Sequence, residues 1–138
     1  MCRIVYDTSY AAHCTAMNSQ SFDNLRLELR RGGLVLAVLA ALNSEQYGYT
    51  LRKIMADHGI EIDEGTLYPL LRRLESQGLL KSKWREEQKR NKRFYQLSVA
   101  GKQILEQLLS EWRSMDSSIN SILKEYGHAT SRTVLAGR

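Results

Sequence analysis

Cationic side chains are concentrated in one short stretch of the chain, residues 81–93. Seven lysine and arginine residues occur there beside only two carboxylates, Glu86 and Glu87. The stretch therefore carries a net charge of +5, the same as the whole 138-residue chain. Because phosphate groups attract a local excess of positive charge, this stretch could bind nucleic acid. The seven cations are Lys81, Lys83, Arg85, Lys89, Arg90, Lys92 and Arg93.

A second group of candidate contacts lies on a helix that is predicted just before this stretch. Four leucines recur at the i, i+3, i+4, i+7 spacing of a single buried helix face. The opposite face carries Tyr68, Arg72 and Arg73. Arginine on an exposed helix can bind guanine edges or phosphates in a DNA groove; a solvated face without a ligand is the alternative. The four leucines are Leu67, Leu70, Leu71 and Leu74.

The ends of this helix are only partly defined by the sequence. Asp63 is a candidate N-cap and Gly78 a candidate stop. A helix that begins at Glu64 would contain Pro69 and lose one backbone hydrogen bond. A helix that begins at Thr66 would instead place the proline in its first turn, where no donor is needed. Both starts stay open.

The basic stretch itself has the pattern of a β-hairpin. Leu80, Ser82 and Trp84 alternate with cations, which is the period-two signature of a strand. A polar turn over residues 86–91 follows, and the return strand over residues 93–97 is rich in aromatic side chains that suit a sheet. The sequence therefore predicts a two-stranded ribbon with a basic tip.

Two further helices are predicted upstream. The first covers about residues 23–42, and its second half, residues 34–42, is apolar on every side, which predicts burial all round. The second covers about residues 47–58 and is followed by Gly59 as a left-handed cap. Three helices followed by a two-stranded ribbon form the element order of a winged helix-turn-helix, a mainly α fold with a small β part. We expect this domain to span residues 23–98.

The two ends of the chain are predicted to lie outside that domain. Residues 1–22 are polar and lack apolar periodicity, so we expect a disordered tail. Alternatively, translation begins at Met17 and residues 1–16 are not part of the natural protein. Residues 127–138 are expected to form a flexible C-terminal tail.

The residue pattern gives no support to an enzyme. There is no phosphate-binding glycine loop and no zinc-helix motif, and the three histidines lack metal-ligand spacing, so no cofactor is expected. Cys2 and Cys14 are the only cysteines, which argues against a disulfide scaffold and favours a reducing, cytoplasmic setting. The longest apolar run, residues 34–42, is too short to span a bilayer, and we see no signal peptide.

Five segments strongly resemble the PadR family of bacterial transcriptional regulators, in its short form with a single C-terminal helix. The resemblance covers about residues 30–125. The segments are Tyr47-Gly-Tyr49, Glu64-Gly-Thr-Leu-Tyr-Pro-Leu-Leu-Arg-Arg-Leu-Glu75, Gly78-Leu-Leu80, Trp84 and Arg93-Phe-Tyr-Gln-Leu97.

The resemblance implies a winged-helix dimer that binds palindromic operator DNA, usually as a repressor that a small molecule releases. By position, Tyr68, Arg72 and Arg73 would lie on the recognition helix, and residues 89–93 would lie on the wing. The family often has glycine and proline at the wing tip, where Gln88-Lys-Arg-Asn91 stands here. This departure leaves the shape of the wing open, although its charge is retained.

A long C-terminal helix over residues 99–126 is predicted after Ser98, a candidate N-cap. Its apolar residues alternate spacings of three and four, which is a heptad seam. A helix of roughly 40 Å exceeds what a winged helix needs, so we expect the seam to form a homodimer; the alternative is that it folds back on its own domain. The seam consists of Leu105, Leu108, Trp112, Met115, Ile119, Ile122 and Tyr126.

Trp112 is a candidate contact for a small-molecule effector. Ser110-Glu-Trp112 resembles the short-form PadR-like regulators, in which the tryptophan lines a pocket at the dimer centre that stacks flat aromatic compounds. A large ring can pair with its symmetry mate and sandwich a planar ligand, with Leu108 and Met115 beside it. The alternative is a core aromatic that only fills the seam.

The sequence therefore predicts a sequence-specific DNA-binding regulator, a repressor released by a small-molecule effector. The expected partners are double-stranded operator DNA, a second copy of the chain and a planar aromatic compound. The alternative is a winged-helix protein-interaction or co-regulator dimer without specific base readout.

Overall fold

The computed structural model describes the backbone of residues 8–127 and the side chains of residues 19–127. Four helices and a three-stranded antiparallel sheet follow each other along the chain. Their bounds are α1 Thr8–Ala41, β1 Gln46–Tyr47, α2 Gly48–Asp57, α3 Glu64–Ser76, β2 Leu80–Glu87, β3 Arg90–Leu97 and α4 Val99–Tyr126.

The first helix begins much earlier than we predicted. We expected a disordered tail before residue 23, whereas α1 begins at Thr8. The chain has no glycine or proline from Thr8 to Arg31, so no residue type interrupts the helix there. Residues 1–7 lie outside the described part, and a translation start at Met17 stays a prediction.

The C-terminal half of α1 and the residue that follows it, Leu42, contact the core, with residues 34–37 and Ala41 half-buried against it. Val38, Leu39 and Leu42 are fully buried. Ala40 is exposed, so the prediction of burial on every side of residues 34–42 is wrong. The apolar residues of this half exceed what the core of one protomer covers.

The helix-turn-helix formed by α2 and α3 agrees closely with the sequence pattern. Gly59 has the left-handed φ of +85° that was predicted for the cap of α2. The third helix begins at Glu64, which places Pro69 inside it. The Arg52 side chain joins α2 to this start, because it donates to the carbonyl of Ile62 at 3.2 Å and to Glu64 Oε1 at 2.9 Å.

The wing is a hairpin of β2 and β3, extended by one strand that the sequence did not indicate. The two-residue strand β1 pairs with β3 through Tyr47 and Phe94, so the sheet order is β1-β3-β2. The hairpin turn has only two residues, Gln88 and Lys89, with φ of 52° and 63°. This geometry normally selects Asn-Gly, so the wing tip is tight but occupied by residues that disfavour it.

The core lies between the helix-turn-helix, the C-terminal half of α1 and the start of α4. Leu67, Leu71 and Leu74 of α3 are buried in it, which confirms the leucine stripe. The helix α4 is capped by Ser98, whose hydroxyl accepts from Gly101 N at 3.0 Å and donates to the carbonyl of Gly78 at 2.7 Å. The exposed face of α3 and the wing therefore stand on a common apolar base.

Candidate nucleic-acid interface

The outward face of α3 presents two free cations. Arg72 and Arg73 are exposed, and no acidic side chain in the described part of the chain forms an ion pair with either. Their guanidinium groups are therefore available to DNA bases or phosphates.

Tyr68 lies on the same helix but is held against the domain. It is half-buried and packs on the core. A Cβ atom at Gly48 would lie 2.1 Å from the Tyr68 hydroxyl oxygen, so this ring fills the space that glycine leaves at the start of α2. The contact between Tyr68 and Gly48 sets how closely the two helices approach, and it limits how far the ring can reach outward.

A groove of ≈ 410 Å³ separates α3 from the wing. It combines aromatic surface with cations, which are the groups that nucleic-acid sites use for sugars, bases and phosphates. Trp84 is 64% exposed at this groove and was not among the contacts predicted from the sequence. The lining residues are Tyr47, Gly48, Tyr68, Arg72, Trp84, Asn91, Lys92, Arg93 and Tyr95.

Two carboxylates divide the cations of the wing into paired and unpaired ones. On the side that faces α3, Glu75 Oε1 accepts from Arg93 Nη2 at 2.7 Å. On the opposite side, Glu45 Oε1 accepts from Arg85 Nη1 at 2.7 Å, and Glu45 Oε2 lies 3.1 Å from Lys83 Nζ. Hydrogen bonds from Arg85 and Lys83 hold the pKa of the Glu45 carboxyl below its usual range.

The remaining wing cations are unpaired within the described residues. Lys89 and Arg90 lie at the exposed tip, and Lys81 at the exposed base of β2. Lys92 has its ammonium group 4.3 Å from the centroid of the Tyr47 ring, a cation–π contact that orients it without neutralising it. The structure therefore brings Lys89, Arg90 and Lys92 together as cations without a carboxylate partner among the described residues, whereas Arg93 is bound to Glu75.

The predicted seam of α4 divides into two parts. Leu105 is buried in the core of its own protomer and Leu108 is half-buried against it. The remaining five apolar side chains are exposed, with Trp112 at 49%. A groove of ≈ 400 Å³ beside Leu108 is lined by Ile104, Gln107, Leu108, Ser110 and Glu111, without Trp112. The exposed five are Trp112, Met115, Ile119, Ile122 and Tyr126.

The first helix also exposes large apolar side chains that the sequence reading did not assign. Phe22, Leu25 and Leu29 are each at least 62% exposed and are spaced at three and four residues. Helical spacing could have revealed this face, because Leu25 and Leu29 lie in the helix predicted over residues 23–42 and only Phe22 precedes it.

Two further features bear on the class of site. Residues 8–127 include no helix with the length and apolar character that a membrane span needs. Within the described side chains, no three His, Cys, Asp or Glu residues are grouped in a way that could hold a metal ion. The distinctive chemistry of the described surface is thus its cationic and aromatic groove.

Comparison with known proteins gives consistent matches. Residues 35–107 match the model of the transcriptional regulator PadR-like family. The chain is 32% identical over 102 residues to the transcriptional regulator Rv3488 of Mycobacterium tuberculosis, a match that covers 73% of this chain and 92% of that protein.

Two solved structures extend the comparison to the fold. A PadR family transcriptional regulator from Eggerthella lenta is 40% identical, with a TM-score of 0.73 over 78% of this chain and 96% of that one. A PadR family transcription regulator from Clostridium difficile is 32% identical, with a TM-score of 0.60 over 64% of this chain and 96% of that one.

Proposed function

The chain belongs to the PadR-like family of transcriptional regulators, and from that premise we propose that it binds operator DNA sequence-specifically as a homodimer. The observation that carries the proposal is the set of unpaired cations on two adjacent exposed surfaces. Arg72 and Arg73 lie on α3, and Lys89, Arg90 and Lys92 lie on the wing. Because operator DNA lies in the bacterial cytoplasm, the protein acts there.

The two surfaces have different tasks in this proposal. The helix α3 enters the major groove, where Arg72 or Arg73 can bind a guanine through two hydrogen bonds. The wing cations bind phosphates and fix the orientation of the domain without reading sequence. Tyr68 contributes a DNA contact from the protein groove between α3 and the wing, where its ring is held against Gly48.

The homodimer is supported by the exposed part of the α4 seam. Five large apolar side chains along one helix face are more than an isolated soluble protomer normally exposes in a row. A second copy, related to the first by a two-fold axis, covers these side chains. The two α3 helices then read half-sites about one DNA turn apart. The first helix exposes further large apolar side chains at Phe22, Leu25 and Leu29.

The proposal is tested by a gel shift with the DNA upstream of the protein's own gene. We expect a discrete complex that a scrambled duplex of equal length does not compete away, with an affinity that falls steeply as salt is raised. Equally weak binding to both duplexes would instead favour the winged-helix co-regulator without base readout.

We further propose that the protein is a repressor and that a planar aromatic effector releases it from DNA. In the dimer, Trp112 would face its symmetry mate, with Leu108 and Met115 beside it, and two rings can sandwich a flat ligand. Trp112 is 49% exposed in the protomer, so its ring is open to contact from a second copy and from a ligand bound between the two.

The effector proposal can be tested by fluorescence because the chain has only two tryptophans. In Trp84→Phe, all tryptophan emission comes from Trp112, and we expect planar cationic dyes to quench it in a saturable way. In Trp112→Phe, which reports only Trp84, the same dyes should not quench. Equal quenching in the two variants, or none in either, would contradict a ligand site at Trp112.

A further inference from the structure

Glu75 occupies the junction between the recognition helix and the wing. It lies in the last turn of α3, and its side chain is 25% exposed. Its carboxylate accepts hydrogen bonds from Arg93 of β3 at 2.7 Å and from the Ser82 hydroxyl of β2. Arg93 Nε in turn donates to Ser82 Oγ at 3.1 Å. Three side chains from three elements thus form a closed ring of hydrogen bonds, which we name the Glu75 ring.

The Glu75 ring joins α3 to both strands of the wing. In β2, Leu80 is buried and Ser82 is half-buried, but residues 83–87 are all exposed. Beyond Ser82 no side chain of β2 is buried, and the wing is held there by the pairing of Phe94 with Tyr47 and by the ion pairs of Glu45 on the opposite side. On the side that faces α3, the charge-assisted bonds to Glu75 tie the wing to the helix.

The length of the wing makes that direction important. The tip at Lys89 is seven residues from Ser82, or roughly 23 Å at 3.3 Å per residue. A tilt of about 10° at the ring would move the tip by about 3–4 Å. A cation moved by that distance could no longer form the hydrogen bond to its phosphate, because such bonds tolerate only a few tenths of an ångström.

We propose that Glu75 is a positioning residue for operator binding and that Arg93 acts through it. This inference rests on the proposed function and changes the role expected for Arg93. A guanidinium already bound to a carboxylate and a hydroxyl holds the wing at the angle that lets Lys89, Arg90 and Lys92 reach phosphates while α3 occupies the groove. Glu75 is thereby needed for DNA affinity although it is an anion at a cationic surface.

The proposal is tested by whether Glu75→Gln raises or lowers the affinity for operator DNA. Glu45→Gln is the matched control in the same protein. Glu75→Gln and Glu45→Gln each remove one negative charge and one carboxylate that binds wing cations. If charge alone governs affinity, both variants bind DNA at least as tightly as the parent protein. If Glu75 positions the wing, Glu75→Gln binds the operator about tenfold more weakly than Glu45→Gln. Equal affinities of the two variants would overturn the inference.

A double-mutant cycle identifies what Arg93 does. If Arg93 acts through Glu75, then Arg93→Gln, Glu75→Gln and the double variant all lose affinity to a similar extent. Additive losses would mean that Arg93 contacts DNA itself and would also overturn the inference. Ser82→Ala breaks the ring without changing charge and is expected to weaken binding in the same direction.

Control measurements separate this inference from the proposed function. Circular dichroism and the native mass of each variant should equal those of the parent, and Ser82→Ala carries the test if Glu75→Gln does not fold. If the parent protein shows no specific complex, the proposed function fails. If the parent binds specifically but Glu75→Gln binds as Glu45→Gln does, only the positioning role fails.

Discussion

Replacing Lys89, Arg90 and Lys92 together with glutamine is expected to weaken operator binding on the order of 10³-fold at low salt. The three side chains are unpaired within the described residues, so their charge is available to DNA. A dimer would lose six phosphate contacts, and the slope of log affinity against log salt should flatten by about five. Filter binding or fluorescence anisotropy over a salt series measures both quantities.

The loss should be nearly the same for operator and scrambled DNA, because phosphate contacts carry no sequence information. Arg72→Gln should behave differently, with a loss of about 1–3 kcal/mol confined to operators that retain one particular base pair. The charge-matched control is Lys102, Arg113 and Lys124→Gln on α4, which should leave both the affinity and the slope close to the parent values. A similar effect of the wing and α4 triples would show that net charge matters and the position of the wing does not.

Much of this fold could be predicted because its signals are local. The leucine stripe at Leu67, Leu71 and Leu74 and the cap at Gly59 each depend on a few neighbouring residues. The sequence left the start of α3 open, although a start at Glu64 costs one backbone hydrogen bond at Pro69 and a start at Thr66 does not. The structure has the costlier start, with Asp63 as N-cap, and Arg52 of the preceding helix binds the carbonyl of Ile62 and the carboxylate of Glu64 there.

Two features of the sheet were not predicted from the sequence, the strand β1 and the length of the wing turn. The strand β1 has two residues and exists because it pairs with Phe94 and Tyr95, so no alternation could reveal it. The wing turn was expected to span residues 86–91, but the register pairs Glu87 with Arg90 and leaves only two residues between the strands. The first depends on a partner strand that is distant in sequence, and the second on the register of β2 with β3, which overrides the weak turn preference of Gln88 and Lys89.

The site was predicted at the level of charge but not of pairing. Counting cations located the wing, but it could not show which cations are bound to carboxylates. Arg85 and its partner Glu45 are 40 residues apart, and Arg93 and Glu75 are 18 apart. Such pairs arise only from the tertiary fold. The sequence therefore could not distinguish Arg93, which is bound to a carboxylate, from the unpaired cations Lys89, Arg90 and Lys92.

Disrupting the exposed apolar seam of α4 should weaken operator binding as much as neutralising the wing cations does. Ile119 is 49% exposed in the protomer and lies at the centre of the five exposed apolar positions. Ile119→Glu would place a charge in the proposed interface, where burying it without a partner is costly. We expect the variant to be monomeric by light scattering and to keep the helical content of the parent.

The monomer should bind a full operator about 10³-fold more weakly than the dimer. When one half of a dimer is bound, the other half faces its half-site at an effective concentration in the millimolar range, and the monomer lacks this advantage. Binding to a single half-site should be nearly unchanged, which distinguishes loss of pairing from damage to α3 or the wing. Ser121→Glu adds the same charge about 200° around the helix and should remain dimeric. A monomeric Ile119→Glu that retained full operator affinity would show that the two DNA-binding units act independently, and the seam would then need another explanation.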